Sequence, residues 1–157
     1  MATSNPSKAI ASGNGAVVSI GNQTGVGTDT WVPINEIQNF KGTGRKRNVT
    51  VVTSFSSGGV QRKLDTVLDY GQYSLDIFYV PNDAGQLAVA NANVVGGKWD
   101  FQIQLPINAE AGQTTKGNLI AFSAIVTEFN TDFEIEKADG LQVVLDIDGP
   151  ITITQGS

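Results

Sequence analysis

The segment KWDFQIQLPI, residues Lys98–Ile107, decides the fold class because apolar and polar side chains alternate along it without interruption. Successive side chains of a strand point to opposite faces of a sheet, so this pattern predicts a strand with one buried face. The expected core-facing residues are Trp99, Phe101, Ile103, Leu105 and Ile107, and the expected outward-facing residues are Asp100, Gln102 and Gln104. A one-residue slip in register would exchange the two sets.

Strand patterns recur on both sides of this segment. The segment Leu119–Phe129 is apolar on both faces, which indicates that both faces are covered, and Trp31–Phe40 contains a proline, which favours an edge or a bend. Short strands are also expected near Ala16–Gly21 and within residues 41–63. Clear alternation places Tyr73, Leu75, Ile77 and Tyr79 on one face of one strand and Leu141, Val143, Leu145 and Ile147 on one face of another, opposite Gln142, Asp146 and Asp148.

One segment changes from the strand period to the helical period. In Pro81–Gly97 the apolar residues recur at helical spacing, at Ala84, Leu87, Ala88 and Val94. Asn82 or Asp83 can cap the beginning of a helix, and Gly96 with Gly97 can end it. The chain is therefore predicted to be mostly β, an antiparallel β-sandwich or barrel of about seven strands with one short α-helix.

Composition excludes several classes of protein. The 157 residues contain no cysteine and no histidine, which removes thiolate metal sites, disulfides and the commonest general base. No apolar run approaches the length of a membrane span, and the N-terminus has no apolar signal region. We expect no enzyme, no cofactor and no metal. The expected organisation is a flexible N-terminal arm over residues 1–15 and one domain over residues 16–157.

Charge is segregated along the chain. Residues 41–63 hold six of the ten Lys and Arg and no acidic residue, whereas the remainder holds four cations and all fifteen acids, a net charge of −11. The six cations are Lys41, Arg45, Lys46, Arg47, Arg62 and Lys63. The glycines favour a long basic loop at about 41–63, although Val49 and Val51 would suit a strand or hairpin within it. Such a segment can meet the acidic body of another copy or, alternatively, the phosphates of DNA.

Several short motifs match functional patterns incompletely. Asn22–Thr24 and Asn48–Thr50 have the form of glycosylation acceptors but lack a secretory signal, and Asp146–Gly149 resembles a calcium loop without its distal glutamate. Glu134 and Glu136 could form a hydrolase pair, but a solvated strand face is the favoured explanation of their spacing. The aromatic residues are expected to form the core; exposed on one sheet face, they would instead suit a sugar-binding module.

The order of the segments resembles a known family. A basic segment is followed by QRKLDTVLDYGQYSLDIFYVPNDAG (Gln61–Gly85), then WDFQIQLP (Trp99–Pro106), FSAIVTEF (Phe122–Phe129) and VVLDIDGPI (Val143–Ile151). This succession of loop, turn, strand, helix and three further strands is similar to the tail tube proteins of long-tailed, non-contractile bacteriophages. The resemblance covers roughly residues 16–154.

The resemblance implies a structural virion protein of the phage tail, made in the cytoplasm of the host bacterium. It implies hexameric rings that stack into a hollow tube, through which DNA passes without specific binding. The implied partners are further copies of the chain, the tape measure, the tail tip and the tail terminator. The alternatives are a tube protein like that of type VI secretion, or a monomeric sugar-binding β-sandwich.

In such a tube the six cations of residues 41–63 would form a loop that contacts the next ring. A wall that conducts DNA should repel phosphate, and the outward polar faces of two strands suit this requirement. The residues expected to face the lumen are Asp100, Gln102, Gln104, Asp146 and Asp148.

Overall fold

The computed structural model describes residues 15–54, 56, 58–136 and 138–157. The expected N-terminal arm, residues 1–15, lies outside the described residues except for Gly15. The elements are β1 (Val17–Gln23), β2 (Val32–Ile34), β3 (Ile37–Gly42), β4 (Lys46–Val52), β5 (Arg62–Asp69), β6 (Gln72–Phe78), α1 (Ala84–Val95), β7 (Lys98–Gln104), a 3-10 turn (Ala109–Ala111), β8 (Leu119–Asp132), β9 (Gly140–Ile147) and β10 (Thr152–Thr154).

Eight of these strands form one antiparallel sheet with the order β2-β1-β7-β8-β9-β6-β3, and β10 pairs with the beginning of β8. The long strand β8 is shared, because its first half pairs with β7 and its second half with β9. The two ends of the sheet, β2 and β3, are separated along the chain by only Asn35 and Glu36. The sheet must therefore curl so that its two ends lie near each other, although β2 and β3 do not pair. This architecture confirms the predicted mostly-β sandwich or barrel.

The predicted register of β7 is correct at its centre and wrong beyond its end. Phe101 is 0% exposed and Ile103 is also buried, while Gln102 between them faces outward. Ile107, expected in the core, is 51% exposed because the strand ends at Gln104 and Pro106 redirects the chain. Tyr79 is exposed for the same reason, since β6 ends at Phe78.

Aromatic rings pack against one another through the core. The ring centroid of Tyr73 lies 4.5 Å from that of Phe40 and 5.1 Å from that of Phe122, and Phe122 stacks on Phe101 at 5.8 Å. Such pairs add to the stability that burial provides. Phe101 and Phe122 are thus buried in the core, and Phe40 and Tyr73 are half-buried residues that pack against it.

Helix α1 has the predicted caps but presents a different face to the core. Asp83 caps the first turn through its side chain, and the Gly96 amide closes the last turn. Leu87 and Val94, two of the apolar residues at helical spacing, are 59% and 83% exposed. The buried residues are Gly85, Gln86, Val89 and Ala92. The helix lies with its small and amide-bearing face against β2, a contact that the apolar spacing does not reveal.

Gln86 joins three parts of the fold from a position that is only 3% exposed. Its Nε2 donates to the main-chain oxygens of Asn35 at 3.3 Å and Phe78 at 2.9 Å. Its Oε1 accepts from the Val80 amide at 3.1 Å. Buried amides are tolerated when their hydrogen bonds are satisfied, so Gln86 holds α1 to the β2–β3 connection and to the end of β6.

Candidate functional site

The basic segment forms a separate hairpin. The expected long loop over residues 41–63 contains the end of β3, all of β4 and the beginning of β5, and within the described residues β4 and β5 pair only with each other. A lone two-stranded hairpin is marginally stable in water. The hairpin β4–β5 therefore projects from the main sheet as an element that lacks a covering layer in the isolated chain.

Apolar side chains are exposed on both faces of this hairpin. Cross-strand pairing puts Val49 opposite Asp65 and Val51 opposite Lys63 on one face, and Thr50 opposite Leu64 and Val52 opposite Arg62 on the other. The apolar residues with 41–69% exposure in and beside the hairpin are Val49, Val51, Val52, Val60, Leu64 and Val67. Concentrated exposed apolar surface is typical of an interaction site.

All six cations of the basic segment are exposed. Lys41 lies on β3, Arg45 lies between β3 and β4, and the other four lie on the hairpin strands. Arg47 Nη1 is 3.1 Å from Asp65 Oδ2 within the hairpin, a solvent-exposed ion pair that contributes about 0–1 kcal/mol. The structure thus places four of the cations on the hairpin, two near each end of it, and leaves Lys41 on the main sheet. It pairs Arg47 with an acid of its own hairpin.

The five residues expected to face a lumen lie on one continuous outer sheet face. Asp100, Gln102 and Gln104 alternate with the buried residues of β7, and Asp146 alternates with those of β9. Strand β8 lies between β7 and β9 and joins their outer faces, because its residue Ile125 pairs with Lys98 of β7 and with Asp146 of β9. Asp148 follows directly after β9 on this face.

Several of these polar side chains have local partners. Asp100 Oδ1 accepts from Thr24 Oγ1 at 2.8 Å and from Ser123 Oγ at 2.7 Å. Gln104 Nε2 donates to the main-chain oxygens of Leu105, Gly117 and Asn118, so its amide supports the β7–β8 connection. Asp148 Oδ2 is 3.6 Å from Lys98 Nζ.

Acidic charge accumulates beside Asp100. Burial and the nearby Asp100 carboxylate raise the pKa of Asp29, partly offset by the hydrogen bond that Asp29 accepts from the Asn22 amide. A raised pKa means that folding favours the protonated carboxyl, so the contribution of Asp29 to stability falls as pH rises past the ordinary carboxyl range.

A second apolar surface lies where the curled sheet remains open. A groove of about 490 Å³ runs between β1 and β3, with apolar side chains that include Val18, Phe40, Tyr73 and Ile120. Burial raises the pKa of Tyr73, and Arg45 partly offsets this shift. Strand β3 pairs only with β6 in the described part of the chain, so its other edge is free beside this groove. A free strand edge beside apolar surface can accept another chain.

The other sequence motifs gain no support as ligand sites. Among the described residues there is no group of three or more acidic side chains that could hold a metal. Asp146 of the calcium-like motif is a strand residue, and the Asn22 side chain donates to the main-chain oxygens of Val26 and Thr28, which shapes a turn. None of the helices in the described ranges has the length and apolarity needed to span a bilayer.

Neither a protein-family model nor a curated protein matches the chain. Solved structures match it at low identity. The sheath-tube complex of the extracellular contractile injection system PVC has a TM-score of 0.68 and 16% identity over 98% of this chain and 99% of the other.

The SPP1 tail tube matches with a TM-score of 0.66 and 12% identity, over 94% of this chain and 80% of the other. The tail of an empty gene transfer agent particle, solved with C6 symmetry, has a TM-score of 0.64 and 15% identity, over 92% and 99%. The chain therefore has the tail-tube fold along nearly its whole length.

Proposed function

We propose that this chain is a structural subunit that assembles into hexameric rings, which stack into the hollow tube of a phage tail and deliver DNA into the host. The observation that carries the proposal is the projecting hairpin β4–β5, which exposes apolar side chains on both faces and which no other described strand pairs with. The fold is that of proteins found in tubes, and the C6 symmetry of the gene transfer agent tail supports a six-membered ring.

Ring formation is favoured by the free edge of β3 and the groove beside it. A closed ring pairs or covers such edges and thereby removes the risk of open-ended aggregation. The groove is lined mainly by apolar side chains, so a neighbouring subunit that fills it removes that surface from water.

Stacking is favoured by charge. Residues 41–63 carry the six cations, and the rest of the chain, which includes Asp65 and Asp69 of β5, has a net charge of −11. Each exposed ion pair between rings would contribute only about 0–1 kcal/mol, but six subunits repeat each pair around a ring. The proposed stacking residues are Lys41, Arg45, Lys46, Arg62 and Lys63, with Arg47 also holding the hairpin together.

The outer sheet face with Asp100, Gln102, Asp146 and Asp148 is proposed to line the lumen, where carboxylates repel DNA phosphates and prevent binding during passage. Gln104 lies on the same face and supports its local turn. The proposed location is the virion tail, assembled after synthesis in the host cytoplasm. Its other partners there are the tape measure, the tail tip and the tail terminator.

Reversing two cations of β5 should block tube growth while preserving the fold. We expect Arg62→Glu with Lys63→Glu to abolish tubes in electron micrographs of concentrated protein, because stacked rings would then repel. Circular dichroism should be unchanged. Arg47 is left intact because its reversal would place two acids together inside the hairpin.

The matched control is Arg62→Lys with Lys63→Arg, which retains both charges and should form tubes. Normal tubes from the doubly acidic variant would refute the role of these cations. A wild-type chain that stays a compact monomer at high concentration, by size exclusion and by microscopy, would refute the tube function itself.

A cation placed on the proposed lumen face should make tubes retain DNA. We expect Gln102→Lys tubes to form normally and to protect a short fluorescent oligonucleotide from nuclease at low salt, with the protection lost at high salt because the contact is electrostatic. Asn91→Lys, on the exposed side of α1, is the control and should protect none. Equal protection by both variants would show that Gln102 does not face the lumen.

A further inference from the structure

Aromatic side chains are exposed at the end of the sheet where β6 and β8 stop and β9 begins. Tyr79 and Phe133 form an edge-to-face pair with 5.5 Å between their ring centroids, and they are 41% and 59% exposed. Ile135, two residues after Phe133, is fully exposed. The Tyr79 amide donates to the Asp139 main-chain oxygen at 2.8 Å, which fixes this residue beside β9. We call Tyr79, Phe133 and Ile135 the aromatic patch, and exposed aromatic residues of this kind are typical of contact surfaces.

Acidic residues surround the aromatic patch along the chain. Residues 128–139 contain five acids and one lysine, Lys137, which gives a net charge of −4, and all five acids are exposed. The five are Glu128, Asp132, Glu134, Glu136 and Asp139. Lys137 lies outside the described residues. The chemistry of the patch therefore favours a partner that is apolar and carries cations at its edges.

The aromatic patch and the hairpin β4–β5 lie at opposite ends of the same strands. The hairpin joins the main sheet beyond the cross-strand pair Gly42 and Tyr73, through the end of β3 and the beginning of β6. The patch adjoins the other end of β6, where Phe78 and Asp132 both pair with Gly140. The seven residues of β6 separate the two ends by about 20 Å. A surface at one end that fits a surface at the other makes a head-to-tail contact, which repeats from copy to copy.

The cations of the hairpin differ in what lies opposite them. Near the main sheet, Arg47 forms its ion pair with Asp65. Toward the tip, Arg62 and Lys63 lie opposite two valines of β4. Val60, two residues before Arg62, is 66% exposed. The tip of the hairpin is thus apolar and cationic, which complements the apolar and acidic character of the aromatic patch.

We propose that the tip of the hairpin of one copy docks on the aromatic patch of a second copy. Val60 and the valines of β4 would cover the rings of Tyr79 and Phe133, while Arg62 and Lys63 reach the acids around them. This inference rests on the proposed tube function and names the surface that the stacking hairpin contacts in the next ring. The covered rings would exclude water from the contact and so reduce the screening of its ion pairs.

Disulfide cross-linking tests the contact directly, because the chain has no cysteine of its own. We expect Val60→Cys with Ile135→Cys to give a ladder of covalent multimers under mild oxidation. These two residues of one copy lie toward opposite ends of the sheet, so the bond must join two copies. The matched control is Val60→Cys with Val94→Cys, because Val94 on α1 is 83% exposed. The control should give about tenfold less product, since thiols held in contact react faster than thiols that meet by diffusion.

Charge reversal tests the ionic part of the contact. The variant Arg62→Glu with Lys63→Glu, which is expected to form no tubes, should regain them when Asp132→Lys and Glu136→Lys are added to the same chain. The control instead replaces the exposed turn Ala109–Ala111 by three lysines, an equal gain of charge. This turn precedes β8, whereas the patch follows it, so the control should leave the tubes absent.

The outcomes separate the docking surface from the tube function. Wild-type tubes without the ladder from Val60→Cys and Ile135→Cys would overturn the docking surface and leave the tube function standing. The ladder without wild-type tubes would support the docking surface and refute the tube. A failed rescue in a chain with unchanged circular dichroism, rescue by the control turn, or equal ladders from both cysteine pairs would each overturn the recognition of the patch by the hairpin.

Discussion

Replacing Phe101 by alanine is expected to lower the free energy of unfolding by about 3–5 kcal/mol. Phe101 is 0% exposed at the centre of β7, and its ring stacks on Phe122 with 5.8 Å between centroids. Truncation would leave a cavity in the core. The strands on both sides of β7 are held by their pairing and cannot move far enough to fill it. The loss is a large part of the 5–15 kcal/mol that is typical for a domain.

Gln102→Ala is the matched control because residue 102 follows directly on the same strand and points to the other face. We expect it to change stability by no more than about 0.5 kcal/mol. Urea unfolding of the isolated subunit, followed by circular dichroism, gives both values. Similar losses for the two variants would mean that the register of β7 is inverted and that the polar face is the buried one.

Local periodicity was sufficient to predict the strands whose two faces differ in polarity. In β7 and β9 the polar side chains alternate with Phe101, Ile103, Leu141 and Val143, and all four are buried. A strand with one buried face needs apolar residues at every second position, and this alternation over several residues can be recognised in a single sequence. The ends of β6 and β7 were not predictable, because the positions of Tyr79 and Ile107 depend on where pairing with a distant strand stops.

The face of α1 shows what a single sequence leaves undetermined. Leu87 and Val94 have the spacing of a core face, yet the helix buries Gly85 and Gln86 in its first turn. Gln86 is buried because its amide meets main-chain groups of Asn35, Phe78 and Val80, which are distant or lie outside the helix. Hydropathy ranks glutamine as a surface residue and carries no information about such partners.

The candidate site was predictable as a charge pattern but not as a shape. The cations of residues 41–63 stand out in the sequence, and Val49 and Val51 suggested a hairpin there. The ion pair between Arg47 and Asp65 joins the basic segment to an acid just beyond it, so composition alone counted Arg47 as available. Which apolar residues need a neighbouring subunit becomes visible only when the hairpin is seen without a covering layer.

Replacing Gly85 by alanine is expected to destabilise the subunit by about 3 kcal/mol or more, at the upper end of the range for overpacking. An added Cβ would overlap the Pro33 main-chain oxygen and lie 2.6 Å from the Ile34 Cα. Both are backbone atoms of β2, so no rotamer change can relieve the contact. The helix must move away from β2, and that movement would also stretch the hydrogen bonds of Gln86.

Gly→Ala within an ordinary helix raises stability by about 0.5–1 kcal/mol. A loss of stability in Gly85→Ala would therefore be opposite in sign to the usual effect and would identify the contact with β2 as its cause. Gly140→Ala is the matched control: Gly140 opens β9, and an added Cβ would find its nearest neighbour, the Ile77 oxygen, at 3.9 Å. We expect no loss of stability there. Urea denaturation of both variants gives the comparison, and a Gly85→Ala chain as stable as wild type would mean that α1 does not lie against β2. The helix also contacts β8, where Asn93 Nδ2 donates to the Val126 main-chain oxygen, so this result would require revision of the end of α1 that carries Gly85 and Gln86.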